Sequence, residues 1–134
     1  MMKRLLPSLL LALAFSSAQA YTTPELLADC QAAETAANDP GAASEQAQRG
    51  ARCTAYLSGF ADAYAVSEFL ADKIGVGLNA FCLPRQNDLM YRMVRAVVIH
   101  LERTPPNTTA TPATLVAGAL GKSFPCNEAL DGRK

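Results

Sequence analysis

Four cysteines, Cys30, Cys53, Cys82 and Cys126, constrain the fold of this 134-residue chain more than any other feature. No two of them form a C-x-x-C pair, which argues against a zinc knuckle and against a redox motif. An even number of cysteines in a small exported domain is typical of disulfides. Four cysteines allow three pairings, so the pattern predicts two disulfides of open connectivity if the chain leaves the reducing cytoplasm.

The N-terminus has the three parts of a secretory signal peptide. Lys3 and Arg4 form a short basic start, an apolar run extends from Leu5 to Phe15, and small residues lead up to Ala20. This pattern predicts export with cleavage after Ala20. The apolar run is well short of the ~20 residues that a membrane-spanning helix needs. The residue directly after the cleavage site is Tyr21 and not a cysteine, so a lipoprotein anchor is not expected either.

The composition therefore divides the chain into a signal peptide over residues 1–20 and an exported domain over residues 21–134. The signal peptide contains two of the twelve basic residues and none of the twelve acidic ones, so the exported domain is slightly acidic. A nucleic-acid-binding protein would instead show a basic patch and a high pI. No second long apolar run follows, so we expect one soluble domain that has a modest core and no membrane contact after cleavage.

Apolar residues recur at helical spacing in four segments and nowhere alternate as in a strand. The pattern predicts helices over about residues 24–37, 44–73, 87–103 and 112–121. We therefore expect an all-α fold, a small four-helix domain with two disulfides, preceded by a cleavable signal peptide. This helix order favours the pairs Cys30–Cys53 and Cys82–Cys126, because each would close one helical hairpin.

Capping residues and glycines give further local expectations. Thr23, Asn87 and Thr111 are suitable N-caps, and Pro112 after Thr111 fits the first helical position. Gly59 lies in the middle of the second predicted helix, which indicates that another backbone approaches closely there. The residues expected in the core are Leu26, Leu27, Cys30 and Ala33, then Cys53, Leu57, Phe60 and Tyr64, then Leu89, Met93, Val97 and Leu101, and finally Leu115, Val116, Ala119 and Leu120.

No set of residues in the sequence predicts catalysis. His100 is the single histidine, and without a spaced partner it predicts no metal site. Cysteine catalysis needs a free thiol beside a base, whereas these cysteines are expected in disulfides. The carboxylates of Asp62, Glu68 and Asp72 are spaced as on a solvated helix face. We therefore expect no catalytic residue, no metal and no cofactor.

The segment between the third and fourth predicted helices is the most unusual exposed feature. It reads Thr104, Pro105, Pro106, Asn107, Thr108, Thr109, Ala110, Thr111. Two prolines prevent a continuous helix here and stiffen the chain. The segment either connects two antiparallel helices only, or also forms a preorganised binding loop, since stiffness reduces the entropy lost on binding.

Three spaced motifs resemble one known family. Residues 53–62, read as C-x-x-Y-x-x-G-x-x-D, are similar to a segment of the Rap/Tai family of type VI secretion immunity proteins. Phe81-Cys82-Leu83-Pro84 resembles the F-C-L-P turn of that family. Residues 115–126 resemble its closing segment, L-V-x-x-A-L followed by F-P-C. The resemblance extends from about Cys30 to Cys126, and the motifs stand in the family's order.

The resemblance implies a periplasmic, disulfide-bonded helical protein that often forms a homodimer. Its partner would be a secreted peptidoglycan amidase, which the immunity protein blocks by occluding the active-site cleft. By location alone, the resemblance places the partner-binding residues in the loop over 104–111. An alternative is a periplasmic stress or chaperone-like protein that has no toxin partner and binds unfolded clients through apolar helix faces. A third hypothesis, an unrecognised small hydrolase, would depend on residues such as Asp62 or His100.

Overall fold

A computed structural model describes residues 21–126 of the chain. It contains α1 (Thr23–Asn38), α2 (Ser44–Asp72), α3 (Leu89–Glu102) and α4 (Pro112–Ser123), with no strand in this part of the chain. The predicted all-α class and the four helices are thereby confirmed. The predicted signal peptide lies outside the described residues. Within them, no helix combines the length and the apolar composition needed to span a bilayer.

The first helix begins one residue earlier than predicted. Thr22, and not Thr23, is the N-cap, because it forms a reciprocal capping box with Glu25. The Thr22 hydroxyl accepts from the Glu25 amide, and the Glu25 carboxylate accepts from the Thr22 amide. With Thr23 as N-cap, the third helical position would be Leu26, which has no side-chain acceptor to complete the box.

The ends of the last two helices also correct the sequence-based bounds. Asp88, and not Asn87, precedes α3, and its side chain makes no capping hydrogen bond. The N-cap of α4 is Thr111 as predicted. Gly121 does not end α4, which continues to Ser123. A Cβ atom at Gly121 would lie 3.3 Å from the Ala80 carbonyl oxygen, so this glycine permits close packing instead of terminating the helix.

One core joins all four helices and the segment before α3. The predicted apolar residues of α4 are all buried, as are Met93, Val97 and Leu101 of α3. Leu26 and Leu57 have no exposed surface, whereas Phe60 and Tyr64 farther along α2 are only partly buried. Phe81 enters the core from the segment between α2 and α3, and Tyr64 stacks on it at a centroid distance of 3.9 Å.

Both predicted disulfides are present. Cys30–Cys53 joins α1 to α2 within the core, where neither cysteine has exposed surface. Cys82–Cys126 joins the segment before α3 to the residues after α4, and Cys82 is exposed. The Cys82 amide also donates to the Phe124 carbonyl oxygen at 2.8 Å. Each disulfide closes a two-helix unit, which is the arrangement that the helix order favours.

A buried carboxylate reinforces the contact between α1 and α2. Asp29 is the buried charged residue of the described chain, at 1% exposure. It accepts from the Arg49 Nε atom at 3.1 Å, from an Arg52 guanidinium nitrogen at 3.0 Å, and from the Tyr21 hydroxyl. Burial by itself raises the pKa of Asp29, but these three hydrogen bonds outweigh it and hold that pKa below its usual range. The folded domain therefore keeps a charged Asp29 at neutral pH.

The close approach expected at Gly59 is found at another glycine of α2. A Cβ atom at Gly50 would lie 2.9 Å from the Ala33 Cα atom, so α1 and α2 touch backbone to backbone there. A Cβ atom at Gly59 would meet nothing within 4 Å. The expectation for Gly59 was wrong because helical period alone does not tell which glycine faces the neighbouring helix.

Candidate functional site

The loop between α3 and α4 is held in a defined shape by hydrogen bonds between residues that are close in the sequence. At its start, the Thr104 amide donates to the Leu101 carbonyl oxygen, and the Thr104 hydroxyl donates to the His100 carbonyl oxygen. In the middle, the Thr108 amide donates to the Pro105 carbonyl oxygen at 3.1 Å, which closes a four-residue turn. At its end, the Thr111 hydroxyl accepts from the Thr114 amide.

The tip of this turn is exposed to solvent, whereas the residues before and after it contact the rest of the domain. Pro105, Pro106 and Asn107 are exposed, as are Thr109 and Thr111. Ala110 is partly buried and packs against the core. The Thr108 hydroxyl accepts from the Ala110 amide at 3.2 Å. The eight residues singled out from the sequence thus form one continuous loop, whose tip residues are fixed by the turn and by proline rings.

A cleft of about 440 Å³ opens beside this loop, between α3 and α4. Ala96, Leu115 and Ala119 are buried residues of its lining, and Thr104, Pro105 and Thr108 contribute the loop side. The charged or ionisable side chains in its lining are His100, Arg103 and Lys122. None of the lining residues is acidic.

His100 is therefore part of this cleft and not an isolated surface residue. A Cβ atom at Gly118 would lie 3.4 Å from its Nε2 atom, so the imidazole packs closely against α4. Burial lowers the pKa of His100, and the positive charge of Lys122 lowers it further. The ring is accordingly neutral at pH 7, and the permanent charges of the cleft come from Arg103 and Lys122.

Sequence reasoning singled out neither Arg103 nor Lys122. They lie 19 positions apart in the chain, and only the packing of α4 along α3 brings both to one cleft. One sequence signal does point to this region. Residues 103–126 contain no aspartate or glutamate, whereas the whole chain has twelve. No acidic residue therefore lies between Arg103 and Lys122 in the sequence.

A second exposed surface lies at the end of α2, which extends past the core. Val66, Phe69 and Leu70 follow i, i+3, i+4 on α2, and Ile74 lies in the turn after the helix. All four side chains are more than half exposed. Val76 and Leu78 add further exposed apolar side chains in the segment that follows. We call these six residues the apolar patch of α2. So many exposed large apolar side chains in one short segment are unusual on a solvated surface and are typical of interaction surfaces.

The residues proposed as hydrolase candidates do not come together. Asp62 is exposed on α2, whereas His100 lies in the cleft between α3 and α4. Within residues 21–126, no three His, Cys, Asp or Glu residues are grouped as a metal site would require. All four cysteines are in disulfides.

The fold and the site define a small all-helical protein that two disulfides stabilise and that presents a stiff loop beside a basic cleft. The family model of the Rap1a immunity proteins matches residues 22–126 of the chain. The chain therefore belongs to the Rap1a immunity protein family, as its cysteine, tyrosine and glycine motifs indicate. Membership points to an immunity protein directed against a secreted effector. Searches of curated proteins and of solved structures gave no match.

Proposed function

We propose that this chain is a periplasmic immunity protein that inhibits a type VI secretion peptidoglycan amidase by occluding its active-site cleft. The observation that carries the proposal is the family match over residues 22–126. The predicted signal peptide and the two disulfides fit a periplasmic site of action, because disulfides persist in oxidising compartments. The working form is then the domain over residues 21–134, after cleavage behind Ala20.

The inhibitory contact is proposed for the loop over residues 104–111. Its tip is exposed, and the Pro105–Thr108 turn fixes its backbone before any partner arrives. A rigid loop loses little entropy on binding, so more of the contact energy remains as affinity. Occlusion needs no chemistry from the inhibitor, which fits a loop that consists of prolines, threonines, asparagine and alanine.

The test uses the purified exported domain and the hydrolase encoded beside its gene. We expect the wild-type domain to abolish peptidoglycan cleavage at equimolar concentration and to protect cells that direct the hydrolase to the periplasm. Asn107→Trp enlarges an exposed tip residue and should weaken inhibition at least tenfold without lowering the melting temperature. Asn87→Trp, a matched change at an exposed residue before α3, should leave inhibition unchanged.

Two results would count against the proposal. If the wild-type domain binds no secreted hydrolase, the proposed immunity function is wrong. Loss of inhibition with Asn87→Trp but not with Asn107→Trp would place the inhibitory contact elsewhere on the domain.

We further propose that the apolar patch of α2 is a homodimer interface. A two-fold interface must be self-complementary. Val66, Phe69 and Leu70 supply the apolar face of α2 in each copy, and Ile74 extends this face in the turn that follows the helix. Sedimentation should show a dimer for the wild-type domain and a monomer for Ile74→Glu. A wild-type monomer at high micromolar concentration would overturn this part of the proposal.

The same patch is the specific observation that favours the second candidate function, a chaperone-like or stress protein. In that case the patch binds unfolded clients instead of a second copy. The domain would then suppress aggregation of a denatured test protein, and Ile74→Glu would abolish the suppression while Asn107→Trp would not. Inhibition of a hydrolase through the loop, with no effect on aggregation, would exclude this alternative.

A further inference from the structure

The cleft between α3 and α4 concentrates positive charge without any acidic neighbour in its lining. Arg103 and Lys122 both line it and are both exposed. Within residues 21–126 neither of them forms a salt bridge, in contrast to Arg49, Arg52 and Arg95. A cation without a counter-charge is a ready contact for an anion of a binding partner.

The helix dipoles account for part of this pattern only. Arg103 is the C-cap of α3 and Lys122 lies in the last turn of α4. Positive charge is favourable at these C-terminal ends. That effect explains a cation at each helix end. It does not explain why the cations of two helices line one cleft whose lining contains no acidic residue.

The shape and lining of the cleft select a small anion with an apolar stem. Ala96, Leu115 and Ala119 are buried side chains that provide an apolar wall. Ser123 lines the cleft together with the two cations. A carboxylate on one or two methylene groups fits such a lining, because its methylene groups contact apolar carbon while its oxygens accept hydrogen bonds from a cationic side chain.

The cleft also adjoins the loop that we propose as the inhibitory element. Thr104, Pro105 and Thr108 belong to both the loop and the lining of the cleft. A protein surface that covers the loop would therefore lie over the cleft as well and exclude water from it. Exclusion of water strengthens a charge-assisted hydrogen bond and makes its loss more costly.

We propose that this cleft binds the side-chain carboxylate of an aspartate or glutamate of the effector, with Arg103 and Lys122 as its cationic contacts. The inference rests on the proposed function and deepens it, since it names the chemistry by which the effector is recognised beside the loop. The loop blocks the active site, and the cleft determines which effector fits.

The experiment measures the affinity of the exported domain for the neighbouring hydrolase by isothermal titration calorimetry. Arg103→Glu and Lys122→Glu, made singly, should each raise the Kd about tenfold or more, because each places a negative charge opposite the bound carboxylate. Arg85→Glu is the matched control, since Arg85 is exposed and lines a different hollow, beside Tyr64 and Phe81. Its Kd should stay within about threefold of wild type.

The partner residue is then identified by charge reversal on the effector. Each exposed aspartate and glutamate of the hydrolase is changed to lysine and titrated against Arg103→Glu. One of these lysine variants should recover most of the lost affinity, and should itself bind the wild-type domain weakly. Circular dichroism melting of every domain variant checks that the fold is unchanged, as expected for exposed residues.

Each outcome decides a separate claim. If Asn107→Trp weakens binding while Arg103→Glu and Lys122→Glu bind as wild type, the cleft inference is wrong and the immunity function stands. If Arg85→Glu lost as much affinity for the hydrolase as the cleft variants, the change would come from long-range electrostatics and not from a contact in the cleft. This result would also overturn the inference. If the wild-type domain binds no neighbouring hydrolase, the proposed function fails and the inference fails with it.

Discussion

Two glycines of α2 allow the same substitution to be tested in opposite environments. In Gly50→Ala the new Cβ atom lies 2.9 Å from the Ala33 Cα atom and 3.1 Å from its amide nitrogen. These are backbone atoms, so no side-chain rotation relieves the overlap and α1 must move away from α2. In Gly59→Ala the new Cβ atom has no neighbour within 4 Å.

The expected magnitudes follow from this geometry. Alanine is favoured over glycine in a helix interior by about 1 kcal/mol, so Gly59→Ala should raise the free energy of unfolding by roughly that amount. Gly50→Ala has the same helical gain, but overpacking costs about 1–3 kcal/mol. Because the contact is between backbones, we expect the upper part of that range and a net loss of about 1–2 kcal/mol.

The assay is urea unfolding of the oxidised exported domain, followed by circular dichroism, together with thermal melts. The two variants should differ by about 2–3 kcal/mol in the free energy of unfolding. That difference corresponds to melting temperatures separated by roughly 10 °C. If Gly50→Ala were as stable as Gly59→Ala, then α1 and α2 would not be in backbone contact at Gly50.

Three further perturbations test other parts of the fold. Asp29→Asn should lower the free energy of unfolding by about 1–3 kcal/mol at pH 7, because it removes the charge that the arginines stabilise. The folded-state pKa of Asp29 lies below its unfolded value, so the stability that the charged carboxylate contributes is lost as pH falls through the folded pKa. Urea titrations should therefore show a smaller difference in free energy of unfolding between wild type and Asp29→Asn in acid than at pH 7. Dithiothreitol should reduce Cys82–Cys126 before the buried disulfide, since Cys82 is exposed; alkylation and mass spectrometry detect this, and simultaneous reduction would contradict it. Tyr64→Phe removes the hydroxyl that accepts from the Ala80 amide at 2.9 Å, so it should cost about 1 kcal/mol and speed hydrogen exchange at that amide; unchanged exchange would refute the contact.

Local sequence signals were reliable wherever the structure depends on neighbours in the chain. The N-cap at Thr111 and the following Pro112 were correctly predicted, because a cap bonds residues two or three positions away. The stripe from Met93 to Leu101 was also correctly predicted, since a helix of this period has only one face to bury. The residue type alone does not distinguish Thr22 from Thr23 as the N-cap, and the capping box with Glu25 selects Thr22.

The cysteine pairing could be favoured from the sequence for a related reason. With the four helices in chain order, only one of the three pairings gives one disulfide to the α1–α2 hairpin and one to the α3–α4 hairpin. The structure has that pairing, with Cys30–Cys53 and Cys82–Cys126. The family motifs were readable as well, since they consist of cysteines, a glycine and core residues at set intervals.

Helical period, helix order and local capping thus predicted the all-α class and the four helices, and favoured the disulfide pairing that the structure has, while the spaced motifs indicated the family. Tertiary packing, by contrast, is what buries Asp29, since its partners Arg49 and Arg52 lie 20 and 23 positions away. It also decided that Gly50, and not Gly59, faces α1. The cleft beside the loop and the exposed end of α2 belong to the same group. They arise from how helices of different length and direction pack together, and no interval along the chain records that geometry.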